Sequence, residues 1–184
     1  MAAGDILTRS MANLAVVSYP VLEPADRDWI ESIRAQHDPQ ATMLPAHVTL
    51  VFPAQVRADD VRAEIAAVAS VSTSISFVIR WARAIRGAFE GGGHVFLVPD
   101  GGFGEIAALH DALYGGAFSA SRRADIPFIP HITIAANRDF GLCERLARDL
   151  TPLDRLIRGR LQKIDLLEIV PGTVTSLQGF DLQP

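Results

Sequence analysis

Cysteine is almost absent from this chain: Cys143 is the only one. A lone thiol excludes an internal disulfide and any zinc cluster built on cysteines. It shares a helical face with Leu146, Ala147 and Leu150, a core-packing position. Long apolar runs are missing too, with none near the roughly 18 residues a membrane span needs. The segment Met1–Ser10 is short and mixed, unlike a secretory leader, so the chain reads as soluble and cytoplasmic, with no membrane partner. Lysine is nearly absent: of 17 basic residues, all but Lys163 are arginine. A basic excess is lacking as well, since 21 acidic residues leave a net charge of −4. That balance excludes a generic footprint for extended duplex nucleic acid. A local patch stays open, and arginine's planar donor fork suits phosphate.

What is present is an ordinary globular composition, 49% hydrophobic and 21% charged over 184 residues. This fits a single domain spanning 1–184 with a proper core. Met11 opens the first hydrophobic strand and is a candidate start, residues 1–10 then being an extension. The pattern predicts strands over Ala12–Ser18, His47–Phe52 (closed by Pro53), Ser74–Ile85, His94–Val98, Phe128–Ala135, Leu161–Ile169 and Thr173–Leu182. Helices are expected over Pro24–His37, Arg57–Ser70, Gly104–Tyr114 and Asp139–Leu150. Phe89–Gly93 reads as a hairpin turn. The second half broadly repeats the order of the first, which suggests duplication.

The repeat is sharpest in one phrase. Pro45-Ala46-His47-Val48-Thr49-Leu50 and Ile129-Pro130-His131-Ile132-Thr133-Ile134 both read His, apolar, Thr, apolar. In a strand, alternate side chains share a face, so each histidine lies beside its threonine, roughly 7 Å along the chain. Two imidazoles can supply both proton transfers of a displacement at neutral pH, and two hydroxyls can hold an anion. Two His-x-Thr phrases in strand context resemble the two-histidine (2H) phosphoesterase superfamily, which includes 2′-5′ RNA ligase family proteins and cyclic phosphodiesterases.

The resemblance implies an α+β, bilobal fold: two small, mainly antiparallel sheets lining a central cleft, helices outside. It implies His47 and His131 as the catalytic pair and Thr49 and Thr133 as phosphate ligands, with no metal and no cofactor. The expected activity is hydrolysis, or reversible transesterification, of a 2′,3′-cyclic phosphate or 2′-5′ phosphodiester. The expected partner is a small nucleotide or an RNA end. Family members acting on RNA ends often have a basic residue just before the second motif. Here Asp125–Pro130 has none, and Arg122 and Arg123 lie further upstream, which tilts the expectation toward a small molecule. Tyr19, Arg122 and Arg123 are further candidate substrate contacts. His94 has no assigned role, and His37 and His110 fall on polar helix positions and read as surface residues. The rivals are a non-catalytic nucleotide-binding module and a metal hydrolase using the histidines as ligands. A zinc site wants three or four ligands, and His37, His94 and His110 form no such spacing with the motifs.

Overall fold

The computed structural model describes residues 11–87 and 92–184; the proposed extension, residues 1–10, and most of the expected Phe89–Gly93 turn lie outside them. The strands are β1 (Met11–Ser18), β2 (Val21–Leu22), β3 (Val48–Arg57), β4 (Ile75–Arg86), β5 (Gly93–Gly101), β6 (Ile132–Asn137), β7 (Ile157–Leu161), β8 (Lys163–Val170) and β9 (Thr173–Asp181). The helices are α1 (Pro24–His37), α2 (Ala58–Val71), α3 (Phe103–Leu113) and α4 (Phe140–Asp149), with a 3₁₀ turn at Ser119–Ser121. No helix among the described residues is long and apolar enough to cross a membrane.

The α+β expectation holds, with one refinement. Instead of two small sheets there is a single antiparallel sheet in the order β2-β7-β4-β5-β6-β3-β1-β8-β9. Its two halves meet at one ladder pair between β3 and β6, Val48 opposite Ile132. Each half draws strands from both ends of the chain, so the halves are interleaved. Only Gln162 separates β7 from β8, although they lie in different halves.

Alternation decides which face is buried. On β4, Ile75, Phe77 and Ile79 point into the core, and on β5 Val95 and Leu97 do the same. The helices cover this side: α1 packs on β6, α4 on β4 and β5, α2 on the β3 half, and α3 across β3, β4 and β5. Their ends follow local chemistry. Pro24 opens α1, where a missing N–H costs nothing. At α4, the Asp139 carboxylate accepts the Gly141 N–H at 2.8 Å, a side-chain cap. Gly102 precedes α3 at φ +82°, a conformation that glycine adopts without strain.

Several element boundaries differ from the sequence expectation. β3 does not stop at Pro53. The register passes from Leu14–Ala54 to Val16–Val51 with one extra residue on β3, and this bulge accommodates a residue that cannot donate to the ladder. The Phe52 N–H finds the Tyr114 hydroxyl instead, at 3.1 Å. Both histidine strands begin later than expected, each with the residue after its histidine. The expected strand over Leu161–Ile169 is split at Gln162 between β7 and β8. The β4–β5 hairpin forms as expected: the two strands pair as far as Arg86–Gly93, and the Gly87 N–H donates to the Gly92 carbonyl at 2.9 Å.

Candidate active site

The pair Val48–Ile132 assembles the site. Both residues are buried, 2% and 1% exposed, and anchor the strands through their apolar faces, each worth about 1.5–3 kcal/mol of burial. Their neighbours therefore share the opposite face. In an antiparallel register, this pairing sets His47 across from Thr133 and Thr49 across from His131. All four motif residues are half-buried there.

Both imidazoles are oriented by the same device. His47 Nδ1 lies 2.8 Å from the Pro45 carbonyl, and His131 Nδ1 lies 2.5 Å from the Ile129 carbonyl. A carbonyl can only accept, so Nδ1 carries the proton and Nε2 keeps its lone pair.

Electrostatics favour neutral rings. Burial pushes the pKa of His131 down to about 4; the Ile129 carbonyl opposes this, and His47 and His94 reinforce it. His47 is also lowered by burial, with opposition from the Pro45 carbonyl, a further lowering by Arg34, and support for the cation from Asp38 and Glu31. His94 is lowered by burial against a pull from Asp38.

Two features escape a sequence reading. Phe96 stacks on the His131 ring, centroids 3.5 Å apart and planes 16° apart, and His94 lies beyond it, 5.6 Å from Phe96. The alternation of β5 already puts His94 and Phe96 on one face; only the β5–β6 register, Phe96 opposite Thr133, brings them to the motif. The second feature is Arg34. Its charge suggests a solvated residue, but it lies four positions after Ile30 on the buried face of α1 and is 1% exposed. Its Nε donates to Asp38 at 3.0 Å, Nη1 to Glu31 at 2.8 Å and Nη2 to the Leu44 carbonyl at 2.8 Å. Glu31 in turn accepts the Ala46 N–H at 2.6 Å. Leu44 and Ala46 flank Pro45, whose carbonyl orients His47, so this network clamps the approach to the first motif.

The other candidates divide. Tyr19 is brought to the site, its ring 6.3 Å from His47 and edge-on, with burial and Asp165 raising its pKa. Arg122 and Arg123 are bound elsewhere, Arg122 to Asp111 on α3 and Arg123 to Asp125 within the loop. His37 is exposed as expected. His110 corrects the surface expectation: it is 5% exposed, stacks on Phe128 at 3.7 Å and 6°, and its Nδ1 lies 2.7 Å from the Leu50 carbonyl. Its ring fills the core behind β3 because a backbone acceptor satisfies its N–H. Among the described residues, no cluster of three or more His, Cys, Asp or Glu could hold a metal ion.

This geometry meets its relatives at the level of family and fold. The model of the 2′-5′ RNA ligase superfamily matches residues 21–171. The chain belongs to that superfamily. E. coli LigT in its apo form superposes with a TM-score of 0.55 at 18% identity, over 95% of this chain and 99% of LigT. TT0787 of Thermus thermophilus gives a TM-score of 0.60 at 19% identity, over 93% and 98%. Usb1 of Kluyveromyces marxianus gives 0.53 at 10% identity, over 90% and 98%. These likenesses establish the shared fold. A sequence comparison with curated proteins finds no match.

Proposed function

We propose that this superfamily member is a metal-independent phosphoesterase. It would hydrolyse, or reversibly transesterify, a 2′,3′-cyclic phosphate or 2′-5′ phosphodiester of a nucleotide or RNA end. The observation that carries this reading is the Val48–Ile132 pair, which sets two imidazoles with free Nε2 atoms beside two hydroxyls on one face. LigT has been solved with 3′-AMP, ATP, NADP+ and phosphate, which supports a phosphate-bearing nucleotide as the ligand class here.

In the hydrolytic direction, one histidine takes a proton from water as its oxygen bonds to phosphorus. The other gives a proton to the departing ribose oxygen as that P–O bond breaks. His131, neutral at rest because burial disfavours its cation, can act as the base once an anionic phosphoester beside it stabilises that cation. His47, with Asp38 and Glu31 supporting its cation, suits the acid once an anionic phosphoester adds to that support. Thr49 and Thr133 donate hydrogen bonds to the nonbridging oxygens, where fixed donors stabilise developing charge.

The test is turnover of 2′,3′-cyclic nucleotides and of a cyclic-phosphate-ended oligoribonucleotide, with EDTA present. His47→Ala and His131→Ala are each expected to lower kcat by about 10²–10⁴-fold. Activity that survives both substitutions overturns the assignment. Activity abolished by EDTA in wild type replaces proton transfer with metal chemistry, and affinity without turnover makes the protein a binding module.

A further inference from the structure

On the β6 side, the face that carries His131 and Thr133 extends over three more strands. Phe96 pairs with Arg83, and Val98 pairs with Trp81. A bulge between Ile79 and Trp81 keeps Val78 and Ser76 on that same exposed face, and these pair with Arg158 and Arg160 of β7. Trp81 is 39% exposed, which leaves indole surface open to stacking. Arg83, Arg158 and Arg160 are exposed. Elsewhere on the surface, Arg62, Arg80, Arg122, Arg123 and Arg155 are each held by a carboxylate. Among the described residues, Arg83, Arg158 and Arg160 have no such partner. The same is true of Arg27, Arg86, Arg138 and Arg145, which lie off this strip, but only the strip brings three such arginines and an exposed indole onto the face of the histidines. The other half of the sheet is different in character: there Asp165 and Asp181 flank Lys163.

We infer that this strip binds a single-stranded oligonucleotide whose terminal phosphoester reaches the two histidines, with a base stacked on Trp81 and phosphates held by Arg83, Arg158 and Arg160. The inference rests on the proposed phosphoesterase reading and names the substrate as a strand rather than a mononucleotide. It revises the tilt toward a small molecule, which came from net charge and from the residues before the second motif. A net charge of −4 says nothing about which arginines share the face of the histidines. Exposed aromatics interleaved with arginines fit a strand, because every base has a stacking face and every linkage a charge. The dimensions agree. Trp81 lies two strand spacings from β6, about 10 Å, and the Arg160 row is ~16 Å further along β4. That L-shaped path of about 26 Å suits a single strand of several nucleotides.

The experiment compares a 2′,3′-cyclic mononucleotide with an eight-nucleotide single strand ending in the same cyclic phosphate. The wild type is expected to prefer the strand at least tenfold in kcat/KM at low salt. The triple variant Arg83→Gln/Arg158→Gln/Arg160→Gln is expected to bring that ratio near one. It should also flatten the dependence of log Kd on log salt by about 2, at ~0.7 per phosphate contact. Trp81→Ala is expected to weaken strand binding about tenfold, and Arg62→Gln, on α2, to change nothing. Thermal melts check that each variant is folded. A wild-type ratio near one, or a ratio that survives the triple substitution, overturns the inference. So does inorganic polyphosphate competing as well as the strand per phosphate, which would mark a general polyanion surface. If neither substrate is turned over, the phosphoesterase reading fails on its own. Fluorescence anisotropy with a labelled octanucleotide then decides the strip: arginine-dependent binding upholds it, and binding indifferent to the triple substitution overturns it.

Discussion

Replacing Arg34 by methionine tests how the first histidine is held. The guanidinium is 1% exposed and bonds to three acceptors that differ in what its loss would cost. The Asp38 side chain is 3% exposed, and without Arg34 its remaining bond is from the Gln40 N–H at 3.0 Å. Stranding a buried carboxylate costs about 3–5 kcal/mol. The Glu31 side chain is 33% exposed, so water replaces its partner and that arm contributes only about 0–1 kcal/mol. Asp38 therefore dominates the loss. At roughly 2–4 °C per kcal/mol for a chain of this size, Arg34→Met should lower Tm by roughly 6–20 °C in circular dichroism melts at pH 7. Arg34→Met/Asp38→Leu removes both charges and should recover most of that loss. Turnover should not recover, because nothing then holds the Leu44 carbonyl beside Pro45. A fall in Tm under about 2 °C for the single variant, or a double variant no more stable than the single, would refute the argument.

Three further outcomes are expected. Phe96→Ala removes the ring stacked on His131, admits water and should raise the His131 pKa from about 4 toward 6.5, read by NMR titration of the ring proton; an unmoved titration would mean the stack does not desolvate it. Thr49→Val and Thr133→Val keep the shape but delete a hydroxyl donor each, and should lower kcat about 10²–10³-fold with Tm nearly unchanged; equal activity to wild type would remove them from the phosphate site. His47, His94, His110 and His131 all have lowered pKa values in the folded state, so the unfolded chain binds protons first. Their contribution is fully present above about pH 6.5 and is lost as pH falls toward the His131 value near 4. Urea midpoints should drop between pH 7 and pH 4.5, and a flat series would contradict it.

Much of the site is written locally. The His-x-Thr phrases need only strand alternation to put imidazole and hydroxyl on one face, and the four long helices follow from apolar spacing and their flanking residues. What was not legible depends on partners distant in sequence. Arg34 looks like a solvated helix residue until the loop at Asp38–Ala46 folds over it. His110 looks exposed until Phe128 and the Leu50 carbonyl arrive. Pro53 looks like a strand end unless the β1 register supplies a bulge.

The sequence by itself determined the chemistry available: two histidines, two threonines, and arginine as nearly the only cation. Tertiary structure decided how those groups combine, because ladder register is set by non-local packing and one added residue changes which face a side chain occupies. A single pair, Val48 with Ile132, turns two separate phrases into one site. The bulge between Ile79 and Trp81 puts Trp81 and Arg83 on the same side as His131. No local pattern carries either fact, since both depend on which strands become neighbours.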